Sequence, residues 1–390
     1  MQSDICVVTP TIRDYEFITE YISNARQHDF DLDRLFILFV TESSCDTDGM
    51  ETLLNREDIA GTVVDENDRE KWFNENNISD YSHLIPANSH AQTSFGLLYI
   101  WANEFEYGIF LDDDTQPHDD FDFFGRHIQN LEYDGEITEV SSETRWVNVL
   151  YQRDGEPLYP RGFPYSAMQT THTTSASDVS SVVASQGMWT KIPDLDAVRI
   201  LMDGNLNGQA ETYTSSTDFQ EQFVVERSNY LTVSSMNLAF KRQIIPVFYQ
   251  LPMDDNSWNI GRFDDIWSGV FLKRAGDILH DQIITGYPLC EHHKAPRSTF
   301  DDLQNEVPGL EINEHLWEII DSVGQDATSY EEVMIAIAET LVNGEWDMYS
   351  NGAFLNYMGE YMYDWVTCLQ KLQSQEITVS IDGIQSPAMD

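Results

Sequence analysis

Three short apolar runs set the fold. Asp4 to Thr9 (DICVVT), Leu35 to Thr41 (LFILFVT) and Tyr107 to Leu111 (YGIFL) are rich in β-branched, aliphatic and aromatic residues and read as buried strands. Thr62 to Asp65 reads as a further short strand. Between them the apolar spacing becomes helical. Phe17, Ile18, Tyr21 and Ile22 mark one face of a helix over Asp14 to Arg26, and Ser94 to Glu104 reads as another helix. Strands that alternate with helices specify an α/β protein with a mixed, mostly parallel sheet and flanking helices. Pro10, not a glycine-rich turn, follows the first strand, which argues against a dinucleotide or P-loop phosphate site.

The segment from Val147 to Gln250 carries loops and mixed strands, with strand then turn over Asn229 to Phe240 and a helix over Phe263 to Ala275. From Asn313 the pattern is helical throughout. Leu316, Ile319, Ile320 and Val323, then Val333, Ile337 and Leu341, then Tyr357, Tyr361, Trp365, Leu369 and Leu372 share helical spacing. The expected organisation is a main domain over 1–305, a helical C-terminal region over 306–375 and a flexible tail over 376–390. The helical region is expected to pack on the domain or to join copies into a homo-oligomer.

Composition decides which partners are excluded. The chain carries 67 Asp+Glu against 21 Lys+Arg, a formal net charge of −46. Such a surface repels nucleic-acid backbones and anionic membranes. With 41% hydrophobic and 12% aromatic residues it still has enough apolar surface for a core. In about molar salt the Debye length falls to roughly 3 Å and self-repulsion is largely screened. The charge therefore reads as adaptation to a salt-rich, halophilic cytoplasm. There is no apolar run long enough to span a bilayer, and Met1 to Asp4 lacks the basic start of a signal peptide. The four cysteines show no CxxC spacing, as expected of a reduced cytoplasmic protein.

Function is sought where the sequence departs from its acidic habit or concentrates it. Asp112-Asp113-Asp114 follows directly on an apolar strand, and strands of a parallel sheet deliver their C-terminal ends to a ligand crevice. Clustered carboxylates there can hold a hard divalent cation that neutralises a diphosphate. Arg161 sits in an uncharged aromatic loop (YPRGFPYS), where it can clamp a phosphate or stack on a ring. Asp194 and Asp196 flank a proline turn near Trp189, a grouping that suits sugar hydroxyls and C–H faces. Arg262, Asp264 and Asp265 meet two tryptophans at a helix start, where acids are also favoured by the helix dipole. His292-His293-Lys294 adds a potential metal ligand and a phosphate-neutralising lysine.

Taken in order, these motifs resemble the reversibly glycosylated polypeptides, which include the plant UDP-arabinopyranose mutases. The resemblance runs through Val8–Arg13 (VTPTIR), Phe110–Asp114, Arg161–Ser166, Gly187–Trp189, Ile192–Ala197, Met236–Phe240, Gly261–Gly269 and His292–Ala295. It implies a glycosyltransferase-A-like domain that binds a UDP-sugar through Mn²⁺ or Mg²⁺. Asp112, Asp114 and His292 map onto the metal site, and Asp113 lies near ribose or metal. Thr9, Thr11, Arg13, Trp189, Asn237, Arg262 and Lys294 map onto the nucleotide-sugar site. Arg161 matches the arginine that is reversibly glycosylated, and Asp194, Asp196, Asp264 and Asp265 match acids that handle the sugar. The family's second arginine is replaced by Met168, and His90–Gly96 lacks an arginine that the plant pattern carries near Thr93. Three activities remain open: pyranose–furanose mutase, metal-dependent glycosyltransferase, and a non-catalytic self-glycosylated scaffold.

Overall fold

The computed structural model describes residues 3–374, so the tail expected from 376 onward lies outside the described residues. Four parallel strands form one half of the main sheet. β1 (Ile5–Pro10), β2 (Leu35–Val40), β3 (Gly61–Val64) and β4 (Tyr107–Leu111) lie in the order β3-β2-β1-β4. All of β4 and all of β1 except Pro10 is buried, which is why these runs are apolar at nearly every position.

The other half is mixed. It uses β5 (Thr115–Pro117), β6 (Gly135–Ser142), β8 (His172–Val179), β9 (Val182–Lys191), β10 (Phe223–Val225), β12 (Asn237–Lys241) and β13 (Gln282–His292). β12 lies antiparallel beside β4, the sheet continues β9-β13-β10-β6-β8, and β5 pairs with β13. β7 (Trp146–Val147) and β11 (Tyr230–Leu231) form a separate parallel pair. Asn229 to Phe240 therefore holds two strands, β11 and β12, joined by a turn. The mixed α/β sheet with flanking helices expected from the sequence is present.

The first helix spans Ile18–Gln27 and begins later than its apolar spacing suggested. Asp14 instead accepts a bond from the Glu16 N–H at 2.9 Å, so these residues form a turn. Helices over Thr47–Glu57, Glu66–Glu75, Phe123–Leu131, Ala197–Asp203 and Thr299–Glu306 were not foreseen. Each is opened by an acceptor side chain, from Asp46, Asp65, Asp122, Asp196 and Ser298 respectively. The C-terminal helices Leu310–Ile320, Tyr330–Asn343 and Ala353–Gln373 share the core of the sheet. Trp365 is buried, donates to the Ile245 carbonyl at 3.1 Å and stacks on Tyr249 with ring centres 4.6 Å apart. Among the described residues no helix is long and apolar enough to cross a membrane.

Candidate functional site

A cleft of about 470 Å³ opens beyond the C-terminal ends of β1 and β4, within the usual size range of small-molecule sites. Its acidic end is the turn after β4. The Thr115 N–H and hydroxyl both donate to the Asp112 carbonyl, at 3.2 and 2.8 Å. Register then does the assembly: Thr115 pairs with His292 across β5 and β13, so the last residue of β13 arrives beside Asp114. His292 Nε2 lies 3.7 Å from Asp114 Oδ1.

The donors at this end differ in how far they are occupied. His292 Nδ1 is 2.7 Å from the Ile192 carbonyl. A carbonyl only accepts, so the proton sits on Nδ1 and the Nε2 lone pair faces Asp114. Burial lowers the pKa of His292, against the pull of Asp114 and Asp194, and favours the neutral ring. Asp113 receives the Thr11 hydroxyl at 2.8 Å and the guanidinium of Arg13. Asp114 Oδ2 accepts from the Ala295 N–H at 3.1 Å. The Asp112 carboxyl has no hydrogen-bond partner among the described residues. Burial, and then the charges of Asp114 and Asp113, hold its pKa well above the carboxylate range. Crowded carboxylates and an imidazole held by its far nitrogen suit a hard or borderline divalent cation. Among the described residues, no three such donors already converge as a ligand group.

The opposite wall is built on Arg161, which is 9% exposed. Its Nε donates to Asp194 Oδ2 at 2.9 Å, and its two terminal nitrogens grip both oxygens of Asp265 at 3.0 and 3.1 Å. One of them also reaches the Arg262 carbonyl. Burial opposes the charge on Arg161, but Asp194 and Asp265 outweigh it and hold the guanidinium well above its ordinary value. Burial likewise works to raise Asp194, while Arg161 and Lys294, the latter 3.4 Å away, bring it far below the usual range. Arg262 pairs with Glu306 and, at 3.3 Å, with Asp302, which Arg297 also holds at 2.9 Å. Asp264 lines the cleft at the start of the helix Asp264–Leu279, and its carboxyl has no hydrogen-bond partner among the described residues. Burial and the adjacent Asp265 push its pKa up to about 6.

The loop that presents Arg161 is tied down from three sides. Arg199 donates to the carbonyls of Tyr159, Pro160 and Phe163. Asn313 donates to the Gly162 carbonyl at 2.9 Å, and Glu314 accepts from the Tyr165 and Ser166 N–H groups. Gly162 has φ +84°, and a Cβ there would stand 2.1 Å from Ile266 Cγ2. The C-terminal helix Leu310–Ile320 is thus a brace for the site.

Twelve of the sequence candidates line this cleft: Thr11, Arg13, Asp112, Asp113, Asp114, Arg161, Asp194, Arg262, Asp264, Asp265, His292 and Lys294. Four stand behind its wall. The Thr9 hydroxyl is spent on the Leu38 carbonyl. Asn237 bridges the Met188 and Pro288 carbonyls and His127, and Trp189 lies beside it around a small void under Arg161. Asp196 caps the helix Ala197–Asp203 and accepts from the Tyr165 hydroxyl at 2.9 Å. Sequence reasoning missed Glu42, Gln250, Asp254 and Arg297 in the lining, and Arg199 behind it. The rule that singled out Arg161, a rare cation in an uncharged loop, does not reach Arg199, which is flanked by Asp194, Asp196 and Asp203. Gln250 is buried, and its amide nitrogen has no partner among the described residues.

The family described as reversibly glycosylated polypeptide matches residues 65–374, and the chain belongs to it. A probable UDP-arabinopyranose mutase 1 of Pisum sativum is 28% identical over 221 residues, 55% of this chain and 53% of its own. A probable UDP-arabinopyranose mutase 1 of Zea mays is 31% identical over 195 residues, 49% and 46% of the two chains. UDP-arabinopyranose mutase 3 of Arabidopsis thaliana is 28% identical over 261 residues, 65% and 66%. The chain thus spans about half the length of the first two relatives.

Proposed function

We propose that this chain binds a UDP-sugar in the cleft and interconverts its pyranose and furanose forms. The observation that carries the reading is the pairing, in one cleft, of the Asp112–Asp114 and His292 cluster with a wall that presents the Asp264 carboxyl, without a hydrogen-bond partner among the described residues, beside the locked Arg161. The names of the curated relatives support the choice of reaction. The interconversion breaks the bond from the anomeric carbon to the diphosphate, with the electron pair leaving on UDP. Another sugar hydroxyl then adds to the anomeric carbon as its proton passes to Asp264, the original ring C–O bond breaks with that proton returned to the departing oxygen, and the diphosphate oxygen bonds to the anomeric carbon again. Mn²⁺ or Mg²⁺ held by Asp112, Asp114 and His292 would offset diphosphate charge and make UDP a better leaving group.

The chain's own residues supply the rest. Asp264, with a pKa of about 6, can take a proton from the ring-closing hydroxyl and return it near neutral pH. Asp265 and Asp194, both paired with Arg161, present negative charge to positive charge developing at the anomeric carbon. A guanidinium that is bonded through all three nitrogens and permanently protonated is a poor nucleophile. This supports a positioning role for Arg161 over that of a covalent sugar carrier. Gln250 offers a donor to a sugar hydroxyl. Met168 at the place of the family's second arginine favours a second reading, transfer of the sugar to an acceptor.

The test is to incubate the protein with UDP-arabinopyranose, Mn²⁺ and about molar KCl, then resolve the products chromatographically. A UDP-furanose peak without free UDP is expected, and it should be lost in Asp264→Asn. UDP released only when an acceptor is added would replace the mutase by the transferase. Neither product from a protein that binds UDP-sugar would overturn both.

A further inference from the structure

The two outer edges of the main sheet are protected very differently. One edge, β3, is four residues long. The other, β8, is eight residues long and pairs with β6 in continuous register from Gly135–Val179 to Ser142–His172. Beyond β8 no further strand pairs among the described residues. Thr173, Thr174, Ser175 and Ala176 are all exposed, so the strand is open on both faces and at its outer edge. It carries no proline, no lysine and no bulge, and its one acid, the exposed Asp178, sits next to its C-terminal end, so most of its length lacks the devices that keep a bare edge from pairing with another chain.

Charge is distributed to match. From Pro157 to Pro193 the only acid is Asp178, whereas the average of 67 acids in 390 residues would put about six there. A chain of net charge −46 repels its own copies over most of its surface. A cationic partner would be drawn to that acidic surface and not to this neutral strip. The neutral, unguarded edge is instead where a second copy can approach without meeting like charge. We infer that the chain forms a twofold dimer by antiparallel pairing of β8 with β8 of a second copy, so that one sheet runs through both. The free backbone N–H and C=O groups of the edge supply the bonds, and the Ser and Thr side chains pack without charge. This inference does not depend on the proposed reaction.

Sedimentation of the full chain in about molar KCl tests it. The expected mass is twice 44.8 kDa for the native sequence. Thr174→Glu with Ala176→Glu, and separately Thr174→Lys with Ala176→Lys, should each give 44.8 kDa with unchanged circular dichroism. These positions face Val140 and Thr138 on β6, so neither change sets like charges opposite each other within one copy. The lysine pair lowers the overall charge, so its dissociation singles out the edge. In the native chain, the outward-facing amides of 173–177, those not directed at β6, should be protected from exchange and lose protection on dilution to monomer. A monomeric native chain, dimeric variants, dissociation by glutamate but not by lysine, or an unprotected edge in the dimer would each overturn the inference.

Discussion

Replacing Asp264 by Asn should stabilise the protein while removing its chemistry. The fold opposes ionisation of this carboxyl, moving it from 3.8 to about 6 through burial and the charge of Asp265. At about 1.4 kcal/mol per pH unit, that shift bounds the effect near 3 kcal/mol. The side chain opens partly to the cleft, and the variant loses about 0.5 kcal/mol of helix-dipole attraction. A net gain of about 1–2 kcal/mol remains at neutral pH. The folded protein holds this proton more tightly than the unfolded chain does. The native side chain therefore costs nothing below about pH 4 and becomes a burden as pH rises through about 6. Thermal unfolding at constant high salt should show the variant about 2 °C above the native chain near pH 7.5 and level with it near pH 4. Turnover should fall by about 10²–10⁴. A lower Tm at neutral pH, or a difference that ignores pH, refutes the assignment of a strained carboxyl.

Arg161→Met leaves Asp194 and Asp265 buried without their shared cation and should cost about 3–5 kcal/mol in urea unfolding; a loss below about 1 kcal/mol would mean the wall is held otherwise. Gly162→Ala drives a Cβ against Ile266 at a left-handed φ, costs about 1–3 kcal/mol, and should lower kcat with secondary structure intact; an unchanged kcat would show that the loop tolerates displacement. Dilution from about 1 M to about 10 mM KCl lengthens the Debye length from about 3 to about 30 Å. At net charge −46, Tm and activity should drop and return when salt is restored, and full activity in dilute buffer would contradict the salt-adapted reading.

How much of this was legible depended on whether a signal stood out from the chain's background. The parallel strands did, because buried strands here are the places free of acid: β4 matches the run Tyr107–Leu111 residue for residue. Helices opened by Asp46, Asp65, Asp122 and Asp196 did not. Aspartate is so common in this sequence that its presence before a helix marks nothing. Arg161 was visible as an exception to the charge pattern, but its partners were not, since Asp194 and Asp265 lie 33 and 104 residues away. Asn237 and Trp189 shared motifs with site residues yet face the interior, because alternate residues of a strand point to opposite sides. The bracing of Gly162 by Asn313 joins distant segments through the fold, and no local spacing carries it.

The cleft poses one electrostatic question that its own residues leave half answered. Its lining holds eight carboxyl groups, at Glu42, Asp112, Asp113, Asp114, Asp194, Asp254, Asp264 and Asp265, against five arginine and lysine side chains, at Arg13, Arg161, Arg262, Lys294 and Arg297. Every one of the five is already committed to an acid: Arg13 to Asp113, Arg161 and Lys294 to Asp194, Arg262 and Arg297 to Asp302. A diphosphate entering this cleft would therefore find no spare arginine or lysine among the described residues, and it could borrow one only by exposing the carboxylate left behind. The favourable route is to bring positive charge with the ligand, at the end of the cleft where the Asp112 carboxyl has no hydrogen-bond partner among the described residues and the His292 lone pair faces Asp114. Calorimetric titration with UDP should show binding at least about 100-fold tighter, about 2.7 kcal/mol, with Mn²⁺ than with chelator. Asp112→Asn should shrink that difference to less than about tenfold, about 1.4 kcal/mol, with the fold intact. If UDP bound equally well without a divalent ion, the paired arginines would have to release their acids to receive it, and the acidic triplet would be a structural turn and not a ligand site.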